Sequence, residues 1–383
     1  MASGVLRWNG LQHVSEKSMQ RPVPKLVELG TRRLLLANID HHLGNLLISM
    51  PVIQAFAERF EGSLDVMVDE RYACLVRLLA GRMRVLAYPA QGRRRRGIRQ
   101  NLVPAVIVAG MWRRHYDTVL DLYGGTRSVV LAMSALARAR IGYAAHTKMS
   151  RLYTHKIAPP PGLHAFDRYC AALQLLEDGR PPAWPLLRPP AEADQAMDAR
   201  LKAEFGVEDD RPILVLHPGA GHVYRLWPAE RFGRVCERLM HELGLRLIII
   251  GTPPERPLME QVVSAMGDSR DVRLWHLPLL ELLALFTRAR MILSNESGPT
   301  HLASLTELPI VTIFGPTREE LWRPKRTSNV WTVRGAPCDP GCGHARCAAS
   351  SQWKCLTQLT EQQVYEAARS GLAAESPRPT GSR

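Results

Sequence analysis

Five short turns of this 383-residue chain gather the residue types that bind anions and move protons. The densest reads Leu293-Ser294-Asn295-Glu296-Ser297-Gly298-Pro299-Thr300-His301. Ser297 suits an N-cap, Pro299 suits a first helical turn, and Gly298 lets a ligand approach the backbone. N–H groups opening a helix attract anions, and His301 follows within the same turn. A plain capped helix accounts for the Ser and the Pro, but not for Asn295, Glu296 and His301 crowded around them. A second turn, Leu216-His217-Pro218-Gly219-Ala220-Gly221, runs on to Arg225-Leu226-Trp227-Pro228. Small residues opening from an apolar strand, with a cation ahead of the next helix, suit a phosphate. Gly219, Ala220 and Arg225 are its candidate ligands. In Gly251-Thr252-Pro253-Pro254-Glu255, Glu255 offers a carboxylate of the kind that accepts hydrogen bonds from ribose hydroxyls.

The fourth turn, Asp40-His41-His42-Leu43-Gly44-Asn45, sets an acid and two imidazoles beside a helix start, the groups that general acid–base work requires. No Cys or further His stands at a spacing that would make it a metal site. The fifth, Asp121-Leu122-Tyr123-Gly124-Gly125-Thr126-Arg127, ends a strand among basic residues, and Asp121, Gly124 and Arg127 would suit an acceptor. Cys338, Cys342, Cys347 and Cys355 crowd together but lack the paired C-x-x-C of common zinc modules. They stay open between thiols, a structural metal and a disulfide. No cofactor and no catalytic metal are expected.

Turns of this kind do chemistry only where strands deliver them, since open α/β sheets bind ligands at strand carboxyl ends. The sequence supplies such strands. Arg32–Ile39, Leu64–Val68, Val85–Tyr88 and Thr118–Leu122 read as strands of a first half, with helices at Leu46–Phe60, Arg127–Ala139 and His164–Leu176. After a Pro-dense stretch, Arg180–Pro190, the alternation restarts. Strands are predicted at Ile213–Leu216, Leu247–Ile250, Met291–Leu293 and Ile310–Phe314, with helices at Glu230–Leu243, Pro257–Met266 and Leu279–Arg290 and a last one capped by Thr360. The expected organisation is an extension over 1–28, a first α/β domain over 29–180, a linker over 181–194, a second α/β domain over 195–375, and a disordered tail over 376–383. The last helix is free in this reading to pack back on the first domain.

Composition narrows the function. The chain carries 50 Lys+Arg against 36 Asp+Glu, a net charge of +14. Between Arg71 and Pro160 there are 17 basic residues and only two acids, Asp117 and Asp121, so one segment holds the whole surplus. Arginine-rich codon usage explains Arg over Lys, but not the missing acids. An anionic partner for the first half is the better reading: phosphorylated lipid, acidic sugar or membrane surface. The run Arg93–Arg96 reads as a loop able to dock on an anionic bilayer. No helix-turn-helix, RNA-recognition or zinc-finger pattern accompanies the charge, so no nucleic-acid partner is expected. No apolar run approaches a membrane span, and Met1–Gly30 lacks the apolar core of a secretory signal. The expectation is a soluble, cytoplasmic protein, peripheral on the inner face of the cytoplasmic membrane.

Taken in order, the turns resemble glycosyltransferase family 9, the ADP-heptose:lipopolysaccharide heptosyltransferases. Asn295–His301 is similar to the family's N-D-[ST]-G-x-x-H turn, with Phe314-Gly315-Pro316-Thr317 following. His217-Pro218-Gly219-Ala220 with Arg225 and Trp227-Pro228 resembles H-P-G-A…K-x-W-P. Tyr116-Asp117…Asp121-Leu122-Tyr123-Gly124 resembles Y-D-x-x-x-D-x-x-G, and the C-terminal cysteines recur in many members.

The resemblance, from about Arg32 to Ala367, implies a GT-B fold: two Rossmann-like domains with parallel sheets facing across a cleft. It implies an inverting, metal-independent transfer with ADP as leaving group, from a nucleotide-sugar donor to an anionic glycolipid acceptor. Gly298, His301 and Arg225 would hold the diphosphate and Glu255 the ribose, while Glu296 stands where the family has Asp. One departure stands out. The family's first turn reads [ST]-x-L-G-D and takes that aspartate as base, whereas this chain has Asn45. An amide cannot accept the proton. Asp40 or His42 substitutes, the acceptor assists, or the chain is a catalytically impaired sugar-nucleotide or glycan-binding relative. A sugar-nucleotide epimerase on the same architecture is the more distant alternative.

Overall fold

The computed structural model describes residues 23–89, 98–144, 148–206, 209–326, 328–336 and 353–374, with the backbone alone over 98–105. The first half alternates β1 (Arg33–Asn38), α1 (Leu43–Arg59), β2 (Ser63–Asp69), α2 (Ala73–Val76), β3 (Arg84–Tyr88), α3 (Ile98–Arg114), β4 (Thr118–Asp121), α4 (Thr126–Ser134), β5 (Ala139–Tyr143), β6 (His155–Ile157) and α5 (Ala165–Cys170). The second half runs α6 (Ala191–Phe205), β7 (Ile213–His217), α7 (Ala229–Leu243), β8 (Arg246–Ile250), α8 (Arg256–Ser264), β9 (Val272–Trp275), α9 (Leu279–Phe286), β10 (Met291–Asn295), α10 (Gly298–Ala303), β11 (Ile310–Phe314), α11 (Glu319–Trp322), β12 (Val330–Arg334), α12 (Lys354–Thr357) and α13 (Glu361–Ala373).

Each half builds one six-stranded sheet, ordered β3-β2-β1-β4-β5-β6 and β12-β11-β10-β7-β8-β9. Every strand pair is parallel. Numbered from their own first strands, the two sheets share one order, that of a doubly wound fold. The order reverses between β1 and β4 in one sheet and between β7 and β10 in the other. At such a switch the following helices leave on opposite faces and open a crevice at the strand ends. Four of the five chemistry-bearing turns follow these four strands.

Strand alternation sorts the side chains of β1. Leu34 and Leu36 join the core beneath α1, whereas Leu35 and Ala37 join a separate cluster with Met111 of α3 and Val129 and Ala132 of α4. The two domains meet through α1. A Cβ on Gly44 would stand 3.1 Å from His301 Cδ2, and one on Gly298 would stand 3.3 Å from Leu43 Cδ2. Both glycines therefore permit a close approach of α1 to α10. Trp184 Nε1 donates to Ser304 O at 2.6 Å, and Lys325 Nζ meets Asp167 Oδ2 at 2.5 Å across the same boundary.

Several expectations change. The helix predicted over Arg127–Ala139 ends at Ser134, because Leu136 turns to φ 54° and Ala139 already begins β5. Strands β5, β6, β9 and β12 and helices α3, α6, α11 and α12 stand outside the expected elements, and α6 begins at Ala191, inside the expected linker. The last helix stays with the second domain: Val364, Tyr365, Ala368 and Leu372 of α13 are buried in that domain's core. Gly371 makes this packing possible, since a Cβ there would sit 2.7 Å from Met291 Sδ. The extension packs from Val23 onward, with Leu26 buried and its N–H bonded to Leu175 O. The Arg93–Arg96 loop, Cys338, Cys342, Cys347 and the tail from Ser376 lie outside the described residues.

Candidate active site

The turns after β1, β7, β8 and β10 converge on one cleft of about 970 Å³ between the domains. From the first domain it is lined by His41, His42, Gly44 and Asn45, together with Arg71, Tyr72 and Cys74. From the second it takes His217, Ala220, Arg225, Thr252, Glu255, Glu296, Ser297, Gly298 and His301. Leu277, Pro278, Leu279 and Leu282 add an apolar wall.

Asp40 lies wholly buried behind this lining. Its Oδ1 accepts from the His42 backbone N–H at 2.9 Å and meets His42 Nδ1 at 2.9 Å, and its Oδ2 accepts from Asn45 Nδ2 at 2.5 Å. Burial pushes the Asp40 carboxyl up, but the bonds from the His42 ring, the His42 backbone and Asn45 outweigh it and hold it below its ordinary value. The same bond to Asp40 raises the His42 imidazole above its ordinary value against partial burial. His41 is lowered, first by burial and then by His42. Asn45 thus anchors the carboxylate, while His42, 64 % exposed, reaches into the cleft. The Asp40, His41 and His42 ligand atoms lie within 4.8 Å of one another, the one such trio among the described residues. Asp40 is committed on both oxygens, so the trio reads as a hydrogen-bonded dyad with a neighbour.

Across the cleft, Asn295 ties two turns together. Its Nδ2 donates to Pro218 O at 2.6 Å and its Oδ1 accepts from Trp227 N at 3.1 Å. That bracing sets Arg225 beside Glu296, with Nη1 3.3 Å from Oε2. Burial raises the Glu296 carboxyl, offset in part by Arg225 and Thr317. Glu255 goes the other way: burial pushes it up, but bonds with His217 and Thr252 pull it down to about 2. His301 is driven down to about 3 by burial and then by His164, so its imidazole is neutral. Gly219 lies behind the lining, where a Cβ would collide with the Glu255 carboxylate.

The acceptor candidates sit apart from this lining. Asp121 is fully buried, accepts from Tyr153 Oη at 2.6 Å and from the Tyr123 and Gly124 N–H groups at 2.9 Å each, and its carboxyl is raised by burial. It shapes the turn from within instead of facing a ligand. Gly124 supplies the φ of 73° that this turn needs. Arg127 is exposed in the first turn of α4 and close enough to disfavour protonation of His41. Sequence reading passed over Arg71 and Tyr72. Arg71 grips Asp69 with two nitrogens, at 2.8 and 2.7 Å, and Tyr72 Oη donates to His41 O at 2.8 Å, so both brace the His41–His42 turn. Their signal was available: Glu70-Arg71-Tyr72 is another strand-to-helix turn on the same sheet edge.

Two doubly wound sheets of one order, with a cleft of cations, imidazoles and carboxylates between their strand ends, define the GT-B class of glycosyltransferase. The sequence matches the glycosyltransferase family 9 (heptosyltransferase) family over residues 108–348, and the chain belongs to that family. It is 22 % identical over 287 residues to lipopolysaccharide heptosyltransferase 1 of Campylobacter coli, covering 72 % of this chain and 82 % of that protein. In fold it is similar to the glycosyl transferase family 9 protein of Veillonella parvula (TM-score 0.73, 19 % identity, 89 % of this chain and 97 % of that one). It is similar also to E. coli ADP-heptose LPS heptosyltransferase II (TM-score 0.69, 17 % identity, 89 % and 98 %). No helix among the described residues is long and apolar enough to cross a membrane.

Proposed function

We propose that this glycosyltransferase moves a heptose or related sugar from ADP-heptose to an anionic lipopolysaccharide-core or similar glycan, with inversion and without a metal. Kinship with heptosyltransferases supports the sugar and the donor. The observation that carries the mechanism is the Asp40–His42 dyad facing Arg225 and Ser297 across one cleft. With Nδ1–H given to Asp40, His42 keeps a lone pair on Nε2 for the acceptor hydroxyl proton. As that oxygen attacks the anomeric carbon, the bond to the diphosphate breaks and negative charge gathers on ADP. Arg225, the Ser297 hydroxyl and neutral His301 are placed to donate to that charge, a role otherwise filled by a metal. Glu255 would take the ribose hydroxyls. Arg127 and the Asp121-ordered turn would border the acceptor.

The outer layer of the first domain favours an anionic membrane surface as the place of action. Val106, Trp112, Val130, Leu136 and Leu152 are exposed on α3, on α4 and the turn after it, and on the single 3-10 turn Lys148–Leu152 that follows β5. Arg113, Arg127, Arg138, Lys148 and Arg151 are exposed on the same layer. Trp112 Nε1 donates to Ser134 O at 2.7 Å, joining α3 to α4 there. Each basic residue near an anionic leaflet contributes about 1 kcal/mol.

The test is incubation with ADP-heptose and core oligosaccharide in EDTA. ADP release and a lengthened glycan support the reading. Release only on adding a divalent cation would sink the metal-free mechanism, and no donor binding at all would sink the transferase reading. Cosedimentation with vesicles containing anionic phospholipid, lost when Arg138 and Arg151 become Glu, tests the membrane surface.

A further inference from the structure

Trp322 ends α11 and lines the cleft, half-buried. Among the described residues, no hydrogen bond and no ring contact occupies its indole. The segment after it is held by the first domain. His164, 7 % exposed, accepts at Nδ1 from the Phe166 N–H at 3.0 Å, so its ring hydrogen sits on Nε2 and is donated to Arg323 O at 2.9 Å. Burial keeps that imidazole below its ordinary value and hence neutral, as this bonding requires. Pro324 is buried, and Lys325 Nζ meets both Asp167 oxygens, at 2.6 and 2.5 Å, beside the Phe166 ring. The start of α5 thus fixes residues 323 and 325, one by its carbonyl and one by its ammonium, and with them the indole ahead of them.

Strand order places that indole with respect to a donor. Along the edge of the second sheet the strands run β9, β8, β7, β10, β11. Leu277 lines the cleft after β9, Glu255 after β8, Arg225 after β7, Ser297 after β10 and Trp322 after β11. A nucleotide with its ribose at Glu255 and its diphosphate at Arg225 and Ser297 therefore runs toward β11. Neighbouring strands lie ~4.8 Å apart, so the next step along the edge holds about one sugar ring. A pyranose carries hydroxyls around its rim and C–H groups on its faces. An indole covers such a face without leaving a hydroxyl unpaired, and its N–H stays available to one of them.

We infer that Trp322 is the platform on which the transferred sugar of the donor stacks, and that His164 and Asp167 are positioning residues for it. This rests on the donor reading above and adds recognition of the sugar as distinct from the nucleotide. The second domain supplies the ring, and the first domain holds it in place.

Calorimetry with ADP and with ADP-heptose tests it, read as the ratio of the two affinities. Trp322→Ala should leave ADP binding within about twofold and weaken ADP-heptose by about three- to tenfold, the scale of one aromatic contact, while Trp322→Phe keeps most of the difference. Asp167→Lys should lower the same ratio with ADP binding retained, and adding Lys325→Asp should restore it, a rescue that damaged folding would not show. Equal weakening of both ligands in Trp322→Ala, no weakening of either, or a loss confined to the KM for acceptor would overturn the platform. An unchanged ratio in Asp167→Lys would overturn the positioning role. All of these leave the donor reading standing, whereas native protein that binds neither ligand would overturn both. ADP binding in each variant reports whether the second domain is folded.

Discussion

His42 and Asp40 are bonded twice, through the backbone N–H and through Nδ1, both to the same carboxylate oxygen at 2.9 Å. The second oxygen is held by Asn45, the residue that stands where the family carries its acidic base. In this turn the acid, Asp40, lies wholly buried, and the His42 imidazole stands exposed in front of it.

Removing that imidazole separates chemistry from binding. His42→Asn should lower kcat by about 10²–10⁴-fold while leaving the KM for donor within a few-fold. Since only the neutral ring accepts a proton, and Asp40 raises its pKa, the rate should fall as pH drops through a midpoint above 6.5. Asp40→Asn removes the stabilising charge, so the acidic limb should move to lower pH. A pH–rate profile unchanged by either substitution would exclude the dyad.

Restoring the family's acid should not help. In Asn45→Asp a second carboxylate would meet Asp40 Oδ2 at the 2.5 Å spacing that the amide now holds. Two carboxylates so close cannot both ionise, and one takes up a proton. Steady-state turnover is expected to stay level or fall. A many-fold rise would instead mark the chain as an impaired relative waiting for its base.

Arg225 and Glu296 form a part-buried pair whose members are 20 % and 8 % exposed. Arg225→Met should weaken donor binding by about ten- to hundredfold and also destabilise the fold, because Glu296 would be left buried without its cation. Glu296→Gln added to Arg225→Met should recover thermal stability but not donor affinity. Recovery of both would mean that Arg225 acts only on Glu296.

Gly44 tests the contact between domains. A Val there puts carbon against His301, 3.1 Å from the Cβ position, and forces α1 away from α10. One apolar cluster holds residues of both domains, Leu34 and Phe56 with Val215 and Leu302, so the melting temperature should fall as well. Turnover, which needs His42 and Arg225 across one cleft, should drop by more than tenfold, as misplacement by about 1 Å does elsewhere. Full activity in Gly44→Val would show that this closed arrangement is not required.

Much of this was legible in the sequence because its causes are local. The Asp40–His42–Asn45 turn is made within six residues, and strands such as Leu247–Ile250 are apolar enough to be placed by inspection. Short strands escaped: Val272–Trp275 and Val330–Arg334 are only half-buried and mix Arg or Thr among apolar residues, so no run announces them. The helix Ile98–Arg114 escaped because no acidic residue marks its first turn.

By itself, then, the chain dictated the more apolar strands, the Thr360 cap and which residues would stand at the strand ends, since these follow from patterning over a few neighbours, whereas Ser297 heads its helix without a side-chain cap bond. The tertiary structure decided who meets whom. Ser297 reaches His217 from 80 residues away, Glu296 reaches Arg225 from 71, and His301 reaches Gly44 from the other domain. Parallel strands and domain closure bring such pairs together, and contacts made by packing over those distances leave no periodic trace in the order of amino acids.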